Sequence, residues 1–273
     1  MAGYQHRTIR VADIKTHFLE AGNGPDLVLL HGGEYGASAE ITWKYNIESL
    51  AQRFHIVAPD VLGWGETDKV YSFSNPAGYR IAHMKRFLET VGVANAYFAG
   101  NSAGGGLILR ASVLDPLPFQ IRKMVTICGN ASVFKTQSQA DLENYTPSLE
   151  NMKKIVALLY HDAKWQTKEN IRERYESSIV PGAWEALSAA RLRSPAHQAR
   201  SGTEEFVQKL SQLRVPLLIM SCEHDPLNQS DWDLDFQKIV PGSRVHRFKH
   251  SAHEPQIEET EEFNRVLTEF LLE

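Results

Sequence analysis

The chain has 273 residues, of which 42% are hydrophobic and 23% are charged, and its formal net charge is −4. This composition is typical of a globular protein with a sizeable core, and it excludes a disordered or fibrous protein. Charges of both signs are interspersed along the chain, so the sequence predicts neither a nucleic-acid partner nor a membrane-surface partner.

Short apolar runs alternate with helical patterns along the chain, which is typical of a mainly parallel sheet with helical connections. An antiparallel hairpin is predicted first, over residues 8–21. Strands follow at 27–30, 55–58, 97–99, 124–127, 217–220 and 244–248. Apolar residues recur at helical spacing over 81–91 and 263–270. The predicted fold class is therefore α/β.

The region between about residues 131 and 201 breaks this alternation. Apolar residues keep a helical period from Leu149 to Leu159, and two further helix-like stretches follow without a strand between them. An insertion at this point would cover the carboxyl ends of the strands, where open α/β sheets bind ligands. We therefore predict a helical lid at 132–200 and an α/β core made of residues 1–131 and 201–273.

The segment Gly100-Asn101-Ser102-Ala103-Gly104-Gly105 follows a predicted strand and leads into a helix. It has the G-x-S-x-G pattern of a nucleophile elbow, in which glycines on both sides let the backbone turn sharply and expose the serine. The helix that starts there adds free N–H groups and partial positive charge, which favour a developing oxyanion. The sequence thus predicts Ser102 as a nucleophile.

A serine nucleophile needs a base and an acid that orients the base. Asp225 follows the strand at 217–220, and His253 follows the strand at 244–248. The chain order Ser102, Asp225, His253 is that of an α/β-hydrolase triad. Glu223 is a rival for the acid. For the oxyanion hole we predict the backbone N–H groups of Gly33 and Ala103.

Metal, cofactor and targeting signals are weak in this sequence. The spacing of His246, His250 and His253 does not match zinc ligand patterns, so we predict no metal site, and no cofactor is implied. The N-terminus lacks the apolar core of a signal peptide, and the two cysteines imply no disulfide framework. We expect a cytoplasmic protein. The sequence leaves its oligomeric state open, a homo-oligomer included.

With the triad placed, the chain resembles the α/β-hydrolase superfamily, and within it the meta-cleavage product hydrolases, which break a carbon–carbon bond in ring-fission products of aromatic degradation. The motifs that carry this resemblance are the turn at 60–67, His31-Gly32-Gly33 with Gly36-Ala37, the elbow at 100–105, and Glu173-Arg174-Tyr175-Glu176 in the lid.

The resemblance implies a small-molecule substrate of the 2-hydroxy-6-oxo-hexa-2,4-dienoate type. It also implies that Arg174 pairs with the substrate carboxylate, for which the planar guanidinium is well suited. Arg172, Arg191 and Arg193 are rivals for that role. Gly32, Glu34, Asn101, Arg174 and Glu254 are predicted to contact the substrate.

Two departures from the family pattern leave other functions open. Glu254 stands where the family commonly has tryptophan, and Glu34 adds a carboxylate to the oxyanion segment. A carboxylesterase or lactonase with the same triad is the alternative, and a ligand-sensing receptor of the same fold is a further one. Epoxide or haloalkane opening is not expected, because hydrolases of that kind carry Asp where Ser102 stands.

Overall fold

The computed structural model describes residues 3–134, 136–192 and 203–273. Eight strands form one sheet in the order β1-β2-β4-β3-β5-β6-β7-β8. The pairs β1·β2 and β2·β4 are antiparallel, and the other neighbours are parallel. The strands are β1 (Gln5–Val11), β2 (Ile14–Ala21), β3 (Asp26–Leu30), β4 (His55–Pro59), β5 (Asn95–Asn101), β6 (Gln120–Ile127), β7 (Leu217–Cys222) and β8 (Arg244–Phe248). The predicted hairpin and the predicted strands are confirmed.

Helices connect the strands and cover both faces of the sheet. They are α1 (Ala39–Trp43), α2 (Ile47–Leu50), α3 (Pro76–Val91), α4 (Ala103–Ser112), α5 (Gln137–Glu143), α6 (Leu149–Leu159), α7 (Lys168–Ser178), α8 (Ala183–Ser188), α9 (Thr203–Leu210), α10 (Trp232–Ile239), α11 (Pro255–Glu258) and α12 (Thr260–Leu272), with 3₁₀ turns at Ala163–Trp165 and Ala189–Leu192. In the parts of the chain just delimited, no helix is long and apolar enough to cross a membrane.

The central strands are buried on both faces, which explains why they are continuous apolar runs in the sequence. In β3, Val28 and Leu30 pack into one core cluster, whereas Leu27 and Leu29 pack into the other. All four side chains are inaccessible to solvent. Successive residues of a strand point to opposite faces, so one short run supplies both cores.

The helices between β6 and β7 have an apolar cluster of their own. Met152, Ile155, Val156 and Leu159 of α6 are buried against residues that include Tyr35 and Leu227, from loops after strands of the sheet, and Ile257 of α11. The helical character predicted for this region agrees with the structure, and its role as a lid stays a prediction. Residues 135 and 193–200 of the predicted lid lie outside the described residues.

The parallel strands direct their carboxyl ends to one edge of the sheet. The loops that follow β3, β5, β7 and β8 carry the oxyanion segment, the predicted nucleophile, the predicted acid and the predicted base, respectively. Open α/β sheets bind their ligands at this edge. The topology therefore brings together residues that are up to 220 positions apart in the sequence, as from Gly33 to His253.

Candidate active site

Ser102 lies at the sharp turn between β5 and α4. Its backbone has φ 49° and ψ −112°, a strained conformation for a residue with a side chain. The flanking glycines are required by packing, since a Cβ on Gly100 would lie 2.4 Å from the Gly104 carbonyl carbon and one on Gly104 would lie 2.6 Å from the Leu30 oxygen. The turn is held by Ser102 N–H, which donates to Ile127 O at 2.7 Å.

The loop after β3 lies directly against this turn. A Cβ added to Gly33 would lie 2.6 Å from the Cβ of Ala103, so the backbones that carry the two predicted oxyanion N–H groups are adjacent. His31 fixes the start of the loop, because its Nε2 accepts from Val61 N–H at 2.9 Å and its Nδ1 donates to Gly32 O at 2.6 Å. Two peptide N–H groups held in this way can stabilise a developing oxyanion.

Asp225 and His253 form a buried hydrogen-bonded pair. His253 Nδ1 donates to Asp225 Oδ2 at 2.9 Å, and both side chains are nearly inaccessible to solvent. The Asp225 carboxylate also accepts from Asn228 Nδ2 at 2.7 Å and from Leu227 N–H at 2.9 Å. A proton fixed on Nδ1 leaves Nε2 of His253 with its lone pair, as a general base requires.

The electrostatics of the pair favour an imidazolium. Burial alone would lower the pKa of His253, but the charges of Asp225, Glu34 and Glu254 outweigh burial and raise that pKa. Burial would raise the pKa of Asp225, yet the adjacent His253 and the donors on Asn228 and Leu227 hold it below its usual value. The site can therefore stabilise the charge that forms when His253 takes a proton.

Changing Asp225 to asparagine should lower the catalytic rate by about 10⁴-fold, because an amide favours the wrong tautomer of His253. Steady-state kinetics with the dienol or ester substrates predicted from the sequence measure this loss. Glu223→Gln is the matched control, since Glu223 is exposed on the same loop and should keep near-parental activity. A larger loss in Glu223→Gln than in Asp225→Asn would reassign the acid.

Arg174 is buried in the middle of a charged cluster. Its NH1 donates to Glu34 Oε1 at 2.7 Å, and its NH2 lies 2.6 and 2.7 Å from the two carboxylate oxygens of Glu254. NH2 also lies 2.7 Å from the Tyr160 hydroxyl, which in turn donates to Glu254 Oε2 at 3.0 Å. The guanidinium predicted to bind a substrate carboxylate is thus paired with two carboxylates of the protein. Its role toward the substrate stays a prediction.

The two glutamates of this cluster differ in their ionisation. Burial raises the pKa of Glu254 to about 7, with the charge of Glu34 adding to the rise and Arg174 opposing it. For Glu34, the opposing effects of Arg174 and other partners outweigh burial, so its pKa is lowered. Both carboxylates also act on His253 through space. One cluster therefore links the predicted substrate residues to the predicted base.

The other residues predicted to contact substrate lie around the same turn. A Cβ on Gly32 would lie 2.3 Å from Glu34 Oε2, so the glycine makes room for that carboxylate. Asn101 donates from Nδ2 to the backbone oxygen of His253 at 3.0 Å, and its buried Oδ1 has no hydrogen-bond partner among the residues that the structure describes. Asn101 thereby joins the elbow to the histidine loop.

The rivals of Arg174 have other surroundings. Arg172 is exposed on α7, and Arg191 donates to backbone oxygens, including that of Tyr145 at 2.7 Å. Arg193 lies outside the described residues. Within the described parts of the predicted lid, Arg174 is the arginine that lies beside Glu34 and Glu254.

The sequence did not indicate three residues that support the site. Tyr160 completes the cluster around Arg174, Asn228 holds Asp225, and Leu159 accepts from the backbone N–H of His253 at 2.9 Å. Asn228 lies three positions after Asp225, where turn chemistry is a weak signal. No spacing or motif relates Tyr160 or Leu159 to the histidine loop.

Comparison with known proteins places these features in context. The model of a family described as "Alpha/beta hydrolase family" matches residues 27–266. A 2-hydroxy-6-oxo-2,4-heptadienoate hydrolase of Pseudomonas putida is 26% identical, with 97% of this chain and 95% of the relative covered. A 2-hydroxymuconate semialdehyde hydrolase of Pseudomonas putida is 28% identical, with 98% and 94% covered.

Solved structures give the same picture. The meta-cleavage product hydrolase CumD of Pseudomonas fluorescens IP01, crystallised with acetates, is 26% identical, covers 97% of both chains and has a TM-score of 0.83. A 2-hydroxy-6-oxo-6-phenylhexa-2,4-dienoate hydrolase of Rhodococcus sp. strain RHA1 is 21% identical, covers 99% of both chains and has a TM-score of 0.85, which is evidence for the shared fold.

Proposed function

Since the chain belongs to the alpha/beta hydrolase family, we propose that it hydrolyses a carbon–carbon bond in a 2-hydroxy-6-oxo-hexa-2,4-dienoate-type meta-cleavage product. The predicted α/β-hydrolase fold and the predicted likeness to meta-cleavage product hydrolases are confirmed. The observation that supports the reaction most directly is the buried Asp225–His253 pair at the same sheet edge as Ser102.

In the proposed reaction the dienol first ketonises, so that the carbon to be expelled becomes a good leaving group. His253 Nε2 takes the proton of Ser102 as the serine oxygen attacks the remote ketone carbon. The N–H groups of Gly33 and Ala103 stabilise the oxyanion. The carbon–carbon bond breaks, and the expelled carbon takes the proton that His253 received from Ser102. Water then cleaves the acyl-serine to release a carboxylic acid.

The charged cluster around Arg174 affects how the substrate carboxylate would be bound. Every dienoate of this class carries a carboxylate, and the predicted partner, Arg174, already has two carboxylate partners. Protonation of Glu254, whose pKa is raised to about 7, reduces the negative charge around Arg174. On this proposal, Arg174 gives up its contact with Glu254 when it binds the substrate carboxylate.

An ester or lactone hydrolase is the second candidate, and the same cluster favours it. An uncharged substrate needs no free cation, and a site in which Arg174 is neutralised by Glu34 and Glu254 offers none. The triad chemistry would be unchanged, because an alkoxide leaves in place of a carbon.

One assay separates the two candidates. We expect the enzyme to bleach the visible absorbance of a ring-fission dienol and to act on it with a higher kcat/KM than on short acyl esters. Ser102→Ala run in parallel shows whether either reaction depends on the triad. Unchanged colour at high enzyme concentration, together with Ser102-dependent ester turnover, would reject the carbon–carbon reaction and support the esterase.

A further inference from the structure

Two histidines and a glutamate meet away from the candidate active site, at the edge of the sheet. His6 lies on β1, His17 lies on β2, and Glu66 lies in the turn after β4. In the register of the hairpin His6 is opposite Leu19 and His17 is opposite Thr8, so the histidines are diagonal neighbours on one face. His6 Nδ1 is 3.1 Å from His17 Nε2.

The other nitrogen of each ring faces a carboxylate. His17 Nδ1 is 2.7 Å from Asp60 Oδ2, in the buried interior, and His6 Nε2 is 2.8 Å from Glu40 Oε2. The hydrogen bond to Asp60 places a proton on His17 Nδ1, so Nε2 of the neutral His17 ring carries a lone pair. This lone pair faces His6 Nδ1, which can donate a proton to it or, in the other tautomer, bind the same cation.

One metal ion, lying to the side of the line between the two nitrogens, can bind both of them in place of the proton that they otherwise share at 3.1 Å. Metal-binding histidines usually have this arrangement, with the second ring nitrogen donating to a carboxylate that fixes the tautomer. In a tetrahedral zinc site with Zn–N bonds of about 2.0–2.1 Å, the two nitrogens are about 3.3 Å apart. The observed separation is close to that value.

Glu66 completes a three-ligand set. One ligating atom from each of His6, His17 and Glu66 lies within 4.8 Å of the other two. Imidazole nitrogen and carboxylate oxygen are ligands that zinc and its neighbours in the first transition row accept. We propose that His6 Nδ1, His17 Nε2 and a Glu66 carboxylate oxygen bind a divalent transition metal such as Zn²⁺, with water as a fourth ligand.

The proposed ion would connect three separate segments. Among the strands that the structure describes, β1 lies at the edge of the sheet and pairs with β2 alone. The turn that carries Glu66 is joined to Asp60, which accepts from Glu66 N–H at 2.8 Å and from Ala39 N–H at 2.7 Å. A metal here would fasten the edge strand to this turn, which is a structural role.

Cobalt provides a direct probe of the site. Protein stripped with a chelator should bind one Co²⁺ per chain and develop the visible d–d absorption of a four-coordinate ion, and Zn²⁺ should displace it. Zn²⁺ at about 100 times its Kd should raise Tm by roughly 5 °C or more. Absence of stoichiometric Co²⁺ uptake would overturn the proposal and leave a shared proton between the histidines.

Variants locate the ion within the molecule. His6→Ala and Glu66→Gln each remove one ligand at an accessible position and should weaken Zn²⁺ binding by at least about tenfold. His246→Ala is the matched control, because His246 is another strand histidine that is paired with a carboxylate, Glu262, at 3.0 Å. Equal affinity in His6→Ala and the control would overturn the assignment, and circular dichroism confirms that each variant is folded.

Discussion

Alanine in place of Ser102 is expected to lower kcat by on the order of 10⁵-fold or more, with the fold intact. The change removes the only oxygen that can form the proposed acyl-enzyme, whereas the elbow keeps its shape. Gly100 and Gly104 still permit the close approach of backbone atoms that the turn requires. Single-turnover and steady-state rates measure the loss.

The control for this change is Ser112→Ala on the same helix. Ser112 is buried like other residues of α4, and its hydroxyl donates to Leu109 O at 2.9 Å, at the end of the helix opposite to Ser102. This variant should keep near-parental kcat. A Ser102→Ala enzyme as active as Ser112→Ala would show that another group is the nucleophile.

Methionine in place of Arg174 should destabilise the protein by about 3–5 kcal/mol in free energy of unfolding. The guanidinium is fully buried and pairs with Glu34 and Glu254, so its removal leaves two carboxylates without a compensating charge. Urea denaturation at two pH values measures the effect. Arg172→Met, on the exposed side of α7, should change the unfolding free energy little.

The pH dependence of this loss separates charge from packing. Without Arg174, the buried carboxyls of Glu34 and Glu254 would have folded-state pKa values above those of the unfolded chain. Such groups favour folding below the unfolded pKa, and that contribution is lost as the pH rises through the folded pKa. The difference from the parent should therefore be larger at pH 8.5 than at pH 5.5. An equal loss at both values would attribute it to packing.

The sharp turn at Ser102 and the strands could be predicted because their causes are local. Glycine is needed at 100 and 104 by contacts within the turn and with β3, and doubly buried strands must be apolar along their whole length. Both requirements leave a visible pattern in a few consecutive residues. The placement of Asp225 and His253 at one sheet edge then followed from the parallel topology.

The charged cluster could not be predicted in the same way. Arg174 contacts Glu34, 140 positions earlier, and Glu254, 80 positions later, and no local pattern relates the three. The sequence alone indicated a carboxylate in the oxyanion segment and an arginine that would pair with a substrate carboxylate. In the structure the two groups form an ion pair, so each reduces the charge that the other presents to a substrate.

The same limit applies to the histidines at the sheet edge. The register of the predicted hairpin brings His6 and His17 together. The orientation of their rings, however, depends on the carboxylates that they contact, Asp60 and Glu40. These carboxylates come from separate segments. The identity of a residue thus indicates its chemistry, whereas its tautomer depends on neighbours that the sequence does not identify.

The backbone of His253, the proposed base, is hydrogen-bonded to the helical region between β6 and β7. His253 N–H donates to the carbonyl oxygen of Leu159, the last residue of α6, and the carbonyl oxygen of His253 accepts from Asn101 Nδ2. Both backbone polar groups of His253 are therefore hydrogen-bonded, the N–H to α6 and the carbonyl oxygen to Asn101, which precedes Ser102. Any displacement of α6 that breaks the first bond would leave a buried amide without a partner. The helix and the base are thus mechanically coupled, and a substrate that shifts α6 would also alter the position of His253.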